Sequence, residues 1–322
     1  MLADFDVFNG DADGICALHQ LRLAKPRAAT LVTGVKRDIS LLKKVIAASG
    51  ERVTTLDVSL NKNREPLLRL LDAGALVEYF DHHQADDIPV HPNLRAHINT
   101  GAEWCTSLLV NRHLDGKYLP WAVVAAFGDN LVAAARAAAA PLRLTAAALF
   151  TLQELGECIN YNAYGEALND LFFTPAELYR LIHMHVDPFS FIHEDSAFSI
   201  LKNGYTGDMA QARAIAPMHN SAAGIIYRLP DAAWSRRVSG VFSNALATGA
   251  PQFAHAVLTK KSDGAYLVSV RAPLARKAGA DVLCSQFETG GGRNSAAGIN
   301  HLPEEDLHRF IAAFDNAFAA SS

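Results

Sequence analysis

Ala75-Leu76-Val77-Glu78-Tyr79-Phe80-Asp81-His82-His83-Gln84 is the stretch on which the reading of the chain turns. An apolar run stops at an aspartate followed by two histidines. A run cut off in this way predicts a buried parallel strand whose C-terminal end opens onto a ligand site. Three adjacent Asp and His side chains there are costly to desolvate unless a metal ion or hydrogen bonds hold them. The triplet alone recurs by chance, so its weight depends on the ends of the other strands.

Upstream, Asp4-Phe5-Asp6-Val7-Phe8-Asn9 alternates as a strand and runs into Gly10-Asp11-Ala12-Asp13-Gly14. Asp11 and Asp13 are two apart, so on extended backbone both carboxylates point the same way. The glycines permit a sharp turn into a helix that begins near Ile15. A second apolar run, 29–33, precedes Lys36-Arg37, which either reaches a phosphate or sits in solvent, and a helix expected over 39–48. The third run, Val53-Thr54-Thr55-Leu56, ends at Asp57, and Arg95-Ala96-His97-Ile98-Asn99 reads as a further strand. Strands alternating with helices of about ten residues predict βαβ units and a parallel sheet covered on both faces. Helices are expected over 103–114 and 121–127, and Gly128-Asp129-Asn130 then supplies another acid at a break. Residues 131–185 are rich in Ala and Leu and read as a helical bridge.

The last third changes character. Strands are expected over 253–258 and 266–270, joined by the hairpin turn Lys260-Lys261-Ser262-Asp263-Gly264. A helix over 278–287 leads to Gly290-Gly291-Gly292-Arg293-Asn294-Ser295-Ala296-Ala297-Gly298, and a helix over 304–320 closes the chain. From Arg236 to Arg293 there are eight Lys and Arg against three Asp and Glu, a local +5 in a chain of net charge −4. That is where an anionic ligand is expected.

At 322 residues, half of them hydrophobic and 19% charged, the chain has the balance of a globular protein with room for two cores. The acidic total argues against coating long nucleic acid. Met1-Leu2-Ala3-Asp4 shows no basic region before an apolar core, and Arg136, Pro141 and Arg143 interrupt the most membrane-like run, 131–150. Four scattered cysteines without a Cys-x-x-Cys pair fit a reducing compartment, so a cytoplasmic location is expected. His183, His185, Asp187 and His193 have metal-like spacing but lack cysteines or a second cluster, and read as helix-end and surface residues.

Asp11, Asp13, Asp57, His82 and Asp129 together offer four carboxylates and an imidazole with no thiolate. This donor set suits Mn²⁺ or Mg²⁺ better than structural zinc. Acids able to bridge allow one ion or two, the latter about 3.5–4 Å apart. Each acid taken singly is equally a helix cap.

With these residues in view, the chain resembles the DHH phosphoesterases with a DHH-associated C-terminal domain, in the RecJ-like and oligoribonuclease-like subgroup. The resemblance runs over essentially the whole length. Gly10-Asp11-Ala12-Asp13-Gly14 is similar to the first motif, Asp57 to the second, Asp81-His82-His83 to the third and Asp129 to the fourth. It implies Asp11, Asp13, Asp57, His82 and Asp129 as metal ligands, His83 facing the substrate phosphate and Asp81 supporting the histidine pair. Arg271, Gly291, Gly292, Arg293 and Asn294 look like the substrate-gripping elements. The implied architecture is an α/β catalytic domain over 1–190 with a helical bridge, and a smaller α/β substrate domain over 191–322, with the cleft between them. Two positions depart from the pattern: Val7 stands where many relatives carry a histidine four residues before the first motif aspartate, with Asn9 the only nearby polar replacement, and Arg293 replaces a histidine after the glycines.

The expected activity is hydrolysis of short nucleotide phosphodiesters, such as pGpG or nanoRNA, to mononucleotides by metal-activated water. The alternatives are a polyphosphate or pyrophosphate hydrolase, or a nucleotide-binding protein with a weakened metal site. No long duplex and no membrane is expected as a partner, and homodimer formation is left open.

Overall fold

The computed structural model describes residues 3–319, so Met1, Leu2 and the Ala320 end of the expected last helix lie outside it. The chain divides into two compact units, Met1–Gly204 and Tyr205–Ser322.

In the first unit, β1 (Asp4–Phe8), β2 (Thr30–Val32), β3 (Arg52–Leu56), β4 (Leu76–Asp81) and β5 (Leu94–Ile98) form an all-parallel sheet in the order β2-β1-β3-β4-β5. Strand pleating sends alternate side chains to opposite cores. Val7, Val53, Val77 and Tyr79 pack with Leu41, Leu67 and Leu71 on one face. Phe8, Leu56 and Phe80 pack with Ile15, Leu18 and Trp121 on the other. The covering helices are α1 (Ala12–Ala24), α2 (Arg64–Asp72), α3 (Thr106–His113) and α4 (Leu119–Gly128). Strand order reverses between β1 and β3, the place where an open α/β sheet receives its ligand.

The stretch 39–48 is not the expected helix; only Leu41–Lys44 makes a single 3₁₀ turn. Side chains from elsewhere take its backbone groups. Asn63 accepts from the Leu42 amide at 3.2 Å and donates to the Ile39 carbonyl at 2.6 Å, and Arg69 donates to the carbonyls of Leu42 and Val45. With Leu41, Leu42 and Val45 buried in the core, these bonds replace the i→i−4 ladder.

The helical bridge comprises α5 (Val132–Ala139), α6 (Ala146–Ala163), α7 (Pro175–His183), α8 (Pro188–Glu194) and α9 (Ser196–Arg213). Between α6 and α7 the chain leaves the helix, held by Asn162, which bonds the backbone of Phe172 and Phe173. A Cβ on Gly156 would lie 2.1 Å from the Val124 carbonyl oxygen, and one on Gly128 2.4 Å from the Ala12 Cβ. Glycine at both positions lets α4, α6 and α1 approach closely and fixes the end of α4. No helix among the described residues is long and apolar enough to cross a membrane.

In the second unit, β6 (His219–Asn220), β7 (Gly224–Leu229), β8 (Ala254–Lys260), β9 (Tyr266–Arg271), β10 (Gly290–Arg293) and β11 (Ala296–Leu302) form a sheet in the order β10-β11-β9-β8-β7-β6. Only β7 and β8 pair in parallel. With α10 (Ala233–Gly249), α11 (Ala280–Cys284) and α12 (Leu307–Phe318) it completes an α/β unit whose core includes Leu258, Val268, Ile299, Phe310 and Phe314. The glycine run is an edge strand of a hairpin. Gly290 admits no side chain, because a Cβ would fall 1.8 Å from the Cys284 carbonyl oxygen.

All four cysteines are buried and free. Burial raises their thiol pKa values, those of Cys158 and Cys284 to about 12.

Candidate metal centre

The strand ends gather the acids. Past β1, Asp11 caps α1: its Oδ1 accepts from the amides of Asp13 and Gly14 at 3.0 and 3.1 Å. Asp13, in the first turn, turns toward the start of α3. Its two oxygens accept from the Thr106 and Ser107 amides, each at 2.7 Å, while Ser107 Oγ donates to the Asp13 carbonyl at 2.8 Å. These are charge-assisted bonds to a helix N-terminus, where the backbone favours an anion.

Asp57 follows β3 with φ +57°, a left-handed backbone that is uncommon outside glycine, asparagine and aspartate. Its amide donates to the Phe80 carbonyl at 3.0 Å, which ties this turn to β4. Asp81 ends β4 and is fully engaged. Oδ1 accepts from the amides of His82 and His83 and from the His83 ring at 2.7 Å, and Oδ2 accepts from the Leu60 amide. Asp81 therefore braces the backbone of both histidines and the His83 ring, and leaves His83 Nε2 unengaged by it.

His82 Nε2 lies 3.4 Å from Asp57 Oδ1, 3.7 Å from Asp129 Oδ2 and 3.9 Å from Asp13 Oδ2. Asp129 sits immediately after α4. Two groups of ligand atoms, Asp13–His82–Asp129 and Asp57–His82–His83, each fall within 4.8 Å of one another. Asp11 joins neither group.

The electrostatics match a site for a cation. Burial, with Asp11 and Asp13 close by, pushes the Asp57 carboxyl well above the usual range. Burial lifts Asp129 to about 6, partly offset by Lys36. For His82, burial acts downward, but Asp57, Asp13 and Asp129 outweigh it and raise the imidazolium to about 10. Acids crowded this closely repel one another unless positive charge stands between them. An oxygen-rich donor set with one or two imidazoles accommodates Mn²⁺ or Mg²⁺.

Lys36 is the principal member of this neighbourhood whose place was not readable in the sequence. Its Nζ lies 2.5 Å from Asp11 Oδ2, 2.9 Å from Asn160 Oδ1 and 3.8 Å from Asp129 Oδ1. Burial of Asp11 is outweighed by this ammonium, which holds the carboxyl below its usual value. Asn9, by contrast, points its amide nitrogen at the Lys36 carbonyl, and Val7 is fully buried in the core. The Thr-Ser opening of α3 is a helix-start signal; nothing in the sequence linked it to Asp13.

Solved structures share this architecture. Exonuclease RecJ bound to manganese superposes with a TM-score of 0.67 at 16% identity, covering 100% of this chain and 91% of that one. The chain has the RecJ fold. RecJ from Thermus thermophilus in complex with Mn²⁺ gives 0.59 at 16% identity, over 100% of this chain and 52% of its own. The pGpG-specific phosphodiesterase PggH from Vibrio cholerae gives 0.61 at 14% identity, over 99% and 100%. No family model matches the chain, and no curated protein matches it by sequence.

On this RecJ fold the remaining candidates belong to the second unit. Arg271, at the end of β9, bonds Asn244 Oδ1, Ser269 Oγ and the Val270 carbonyl. Gly291, Gly292 and Arg293 lie exposed on the edge strand β10. The Asn294 side-chain amide donates to the Asp281 carboxylate at 2.9 and 2.5 Å, which ties the hairpin turn to α11. His183, read as a helix-end residue, closes α7 and meets the buried His19, Nδ1 to Nδ1, at 3.1 Å.

Proposed function

We propose that this protein is a divalent-metal-dependent phosphoesterase that hydrolyses short nucleotide phosphodiesters to mononucleotides. The observation that carries the reading is the convergence of Asp13, Asp57, His82 and Asp129 at the switch point of a parallel sheet. Those four residues would hold Mn²⁺ or Mg²⁺. Such an ion lowers the pKa of water and draws charge from a phosphoryl oxygen.

The chain's own groups do the rest. Asp81 fixes the His83 ring through Nδ1, so Nε2 is the nitrogen offered to the substrate phosphate. The amides of Thr106 and Ser107 hold Asp13 and keep its carboxylate from turning away. In the second unit, Arg271 and the β10–β11 hairpin, with Arg293 exposed after three glycines, are the groups suited to grip a phosphate. The net charge of −4 disfavours long strands, while the basic 236–293 stretch suits a short anion. RecJ structures with manganese and the pGpG-specific PggH, which share the fold, agree with this reading.

Product analysis tests it. Chelator-treated protein, with and without Mn²⁺, is given pGpG, short RNA, a 30-mer, cyclic dinucleotides and polyphosphate. Metal-dependent release of mononucleotides from the two short substrates is expected. Phosphate release from polyphosphate alone, or equal cutting of 30-mers in competition, would replace the reading.

A further inference from the structure

Asp11 already faces a cation, whereas Asp13 is held only by neutral backbone amides. Asp11 Oδ1 is the helix cap for the amides of Asp13 and Gly14, and Asp11 Oδ2 is in contact with the Lys36 ammonium at 2.5 Å. That ammonium is held in place from several sides. An ammonium has three donors; one meets Asp11, a second meets Asn160 Oδ1 at 2.9 Å, and the charge also faces Asp129 Oδ1 at 3.8 Å. The Tyr164 ring lies beneath it, its centroid 5.5 Å from Nζ. The Lys36 amide donates to the Ala163 carbonyl at 2.9 Å, and its own carbonyl accepts from Asn9 at 3.5 Å. A cation is thus built in between two acids that a second metal ion would have to share.

We infer that Lys36 takes the place of a second divalent cation, so that the centre binds a single metal ion through Asp13, Asp57, His82 and Asp129. The inference rests on the reading of this cluster as a metal centre. The placement of the ammonium supports it: Nζ stands against both Asp11 and Asp129, where a second ion bridging those acids would have to sit. The ligand geometry agrees: His82 Nε2 lies within 3.9 Å of carboxylate oxygens of Asp13, Asp57 and Asp129, and neither group of converging atoms includes Asp11. The neutral Asn9 fits the same arrangement: it secures the Lys36 backbone and bonds the Asp11 amide at 3.3 Å. Lys36 is then a positioning residue that holds Asp11 and Asp129 and keeps a fixed positive charge beside the reacting phosphate.

The test counts Mn²⁺. Chelator-treated protein is titrated with Mn²⁺ by calorimetry, bound metal is quantified after dialysis, and electron paramagnetic resonance reports whether ions are coupled. The parent should bind one ion per chain and give an uncoupled six-line spectrum. Lys36→Ala should bind two and give the exchange-coupled spectrum of ions about 3.5–4 Å apart. Lys36→Arg, which keeps the charge, should stay at one. Two ions in the parent would overturn the inference and leave the phosphoesterase reading standing. So would a folded Lys36→Ala that still binds one. No bound ion in the parent would overturn both. The parent count decides the matter even if circular dichroism finds Lys36→Ala unfolded.

Discussion

At the C-terminal ends of β1, β3 and β4 the acids are sunk to almost nothing, Asp13 at 1%, Asp57 at 2% and Asp81 at 0% exposure, whereas Arg276, Lys277 and Arg293 of the second unit stand in solvent. Both regions concentrate charge of one sign, by different means. The buried acids are locked by backbone amides, a lysine and each other, and they are under repulsion. The exposed bases are screened and adaptable and perturb the fold little. Strain of this kind is expected where a ligand relieves it; an exposed basic edge is expected where ligands come and go.

Asp57→Asn should break the contrast most sharply. Asparagine tolerates the +57° backbone and removes only the charge, which alanine would not do cleanly. Mn²⁺-dependent turnover should fall by about 10³-fold, the worth of several kcal/mol at the transition state. The ion-free protein should unfold at a temperature equal to or above the parent's, because burial beside Asp11 and Asp13 disfavours the charged carboxylate. Activity close to the parent's would show that the buried acids are not the catalytic pole.

Asp13→Ala tests the locking instead of the repulsion. It strips the partner from the Thr106 and Ser107 amides. Two charge-assisted bonds together predict a loss of about 3 kcal/mol in urea unfolding. A loss below about 1 kcal/mol would mean that water replaces the carboxylate and that the site is less closed than its burial suggests.

On the exposed side, Arg293→Ala should raise KM by about tenfold with kcat nearly unchanged, as for a contact made equally in the ground and transition states. Arg293→Lys should recover part of the binding, since it keeps the charge but loses the fork. An unchanged KM would separate the basic edge from substrate altogether.

The smallest effect lies in the core of the first unit. Burial, with His183 close by, lowers the His19 pKa to about 3. The folded state resists protonation that the unfolded chain accepts near 6.5. The stability tied to this group is therefore complete above pH 6.5 and drains as pH falls toward 3. His19→Gln should flatten the stability–pH curve between pH 6 and 5 by at most about 1.4 kcal/mol per pH unit. Parallel curves for parent and variant would remove His19 from the account.

How much could be read beforehand followed from the range of the interactions involved. The strands of the parallel sheet are visible because apolar runs end in acids, a signal written in adjacent residues. The helix expected over 39–48 fails because Asn63 and Arg69, some 20 or more residues away, take its backbone groups. Lys36 resisted assignment for the same reason, since Asn160, 124 positions on, helps fix its ammonium. The glycine run was visible as a motif, but its edge-strand form depends on antiparallel pairing with β11, and Gly290 is required because a Cβ there would strike the Cys284 carbonyl.

The burial of every thiol makes the native chain a blank for sulfur chemistry, since no cysteine is both accessible and easily ionised. A side chain at Gly291 would meet no neighbour within 4 Å. Gly291→Cys would then place one addressable reporter beside Arg293 without removal of any natural cysteine. A fluorophore or spin label there would register the arrival of a phosphate on the basic edge as a change in its own signal, free of background from the rest of the molecule.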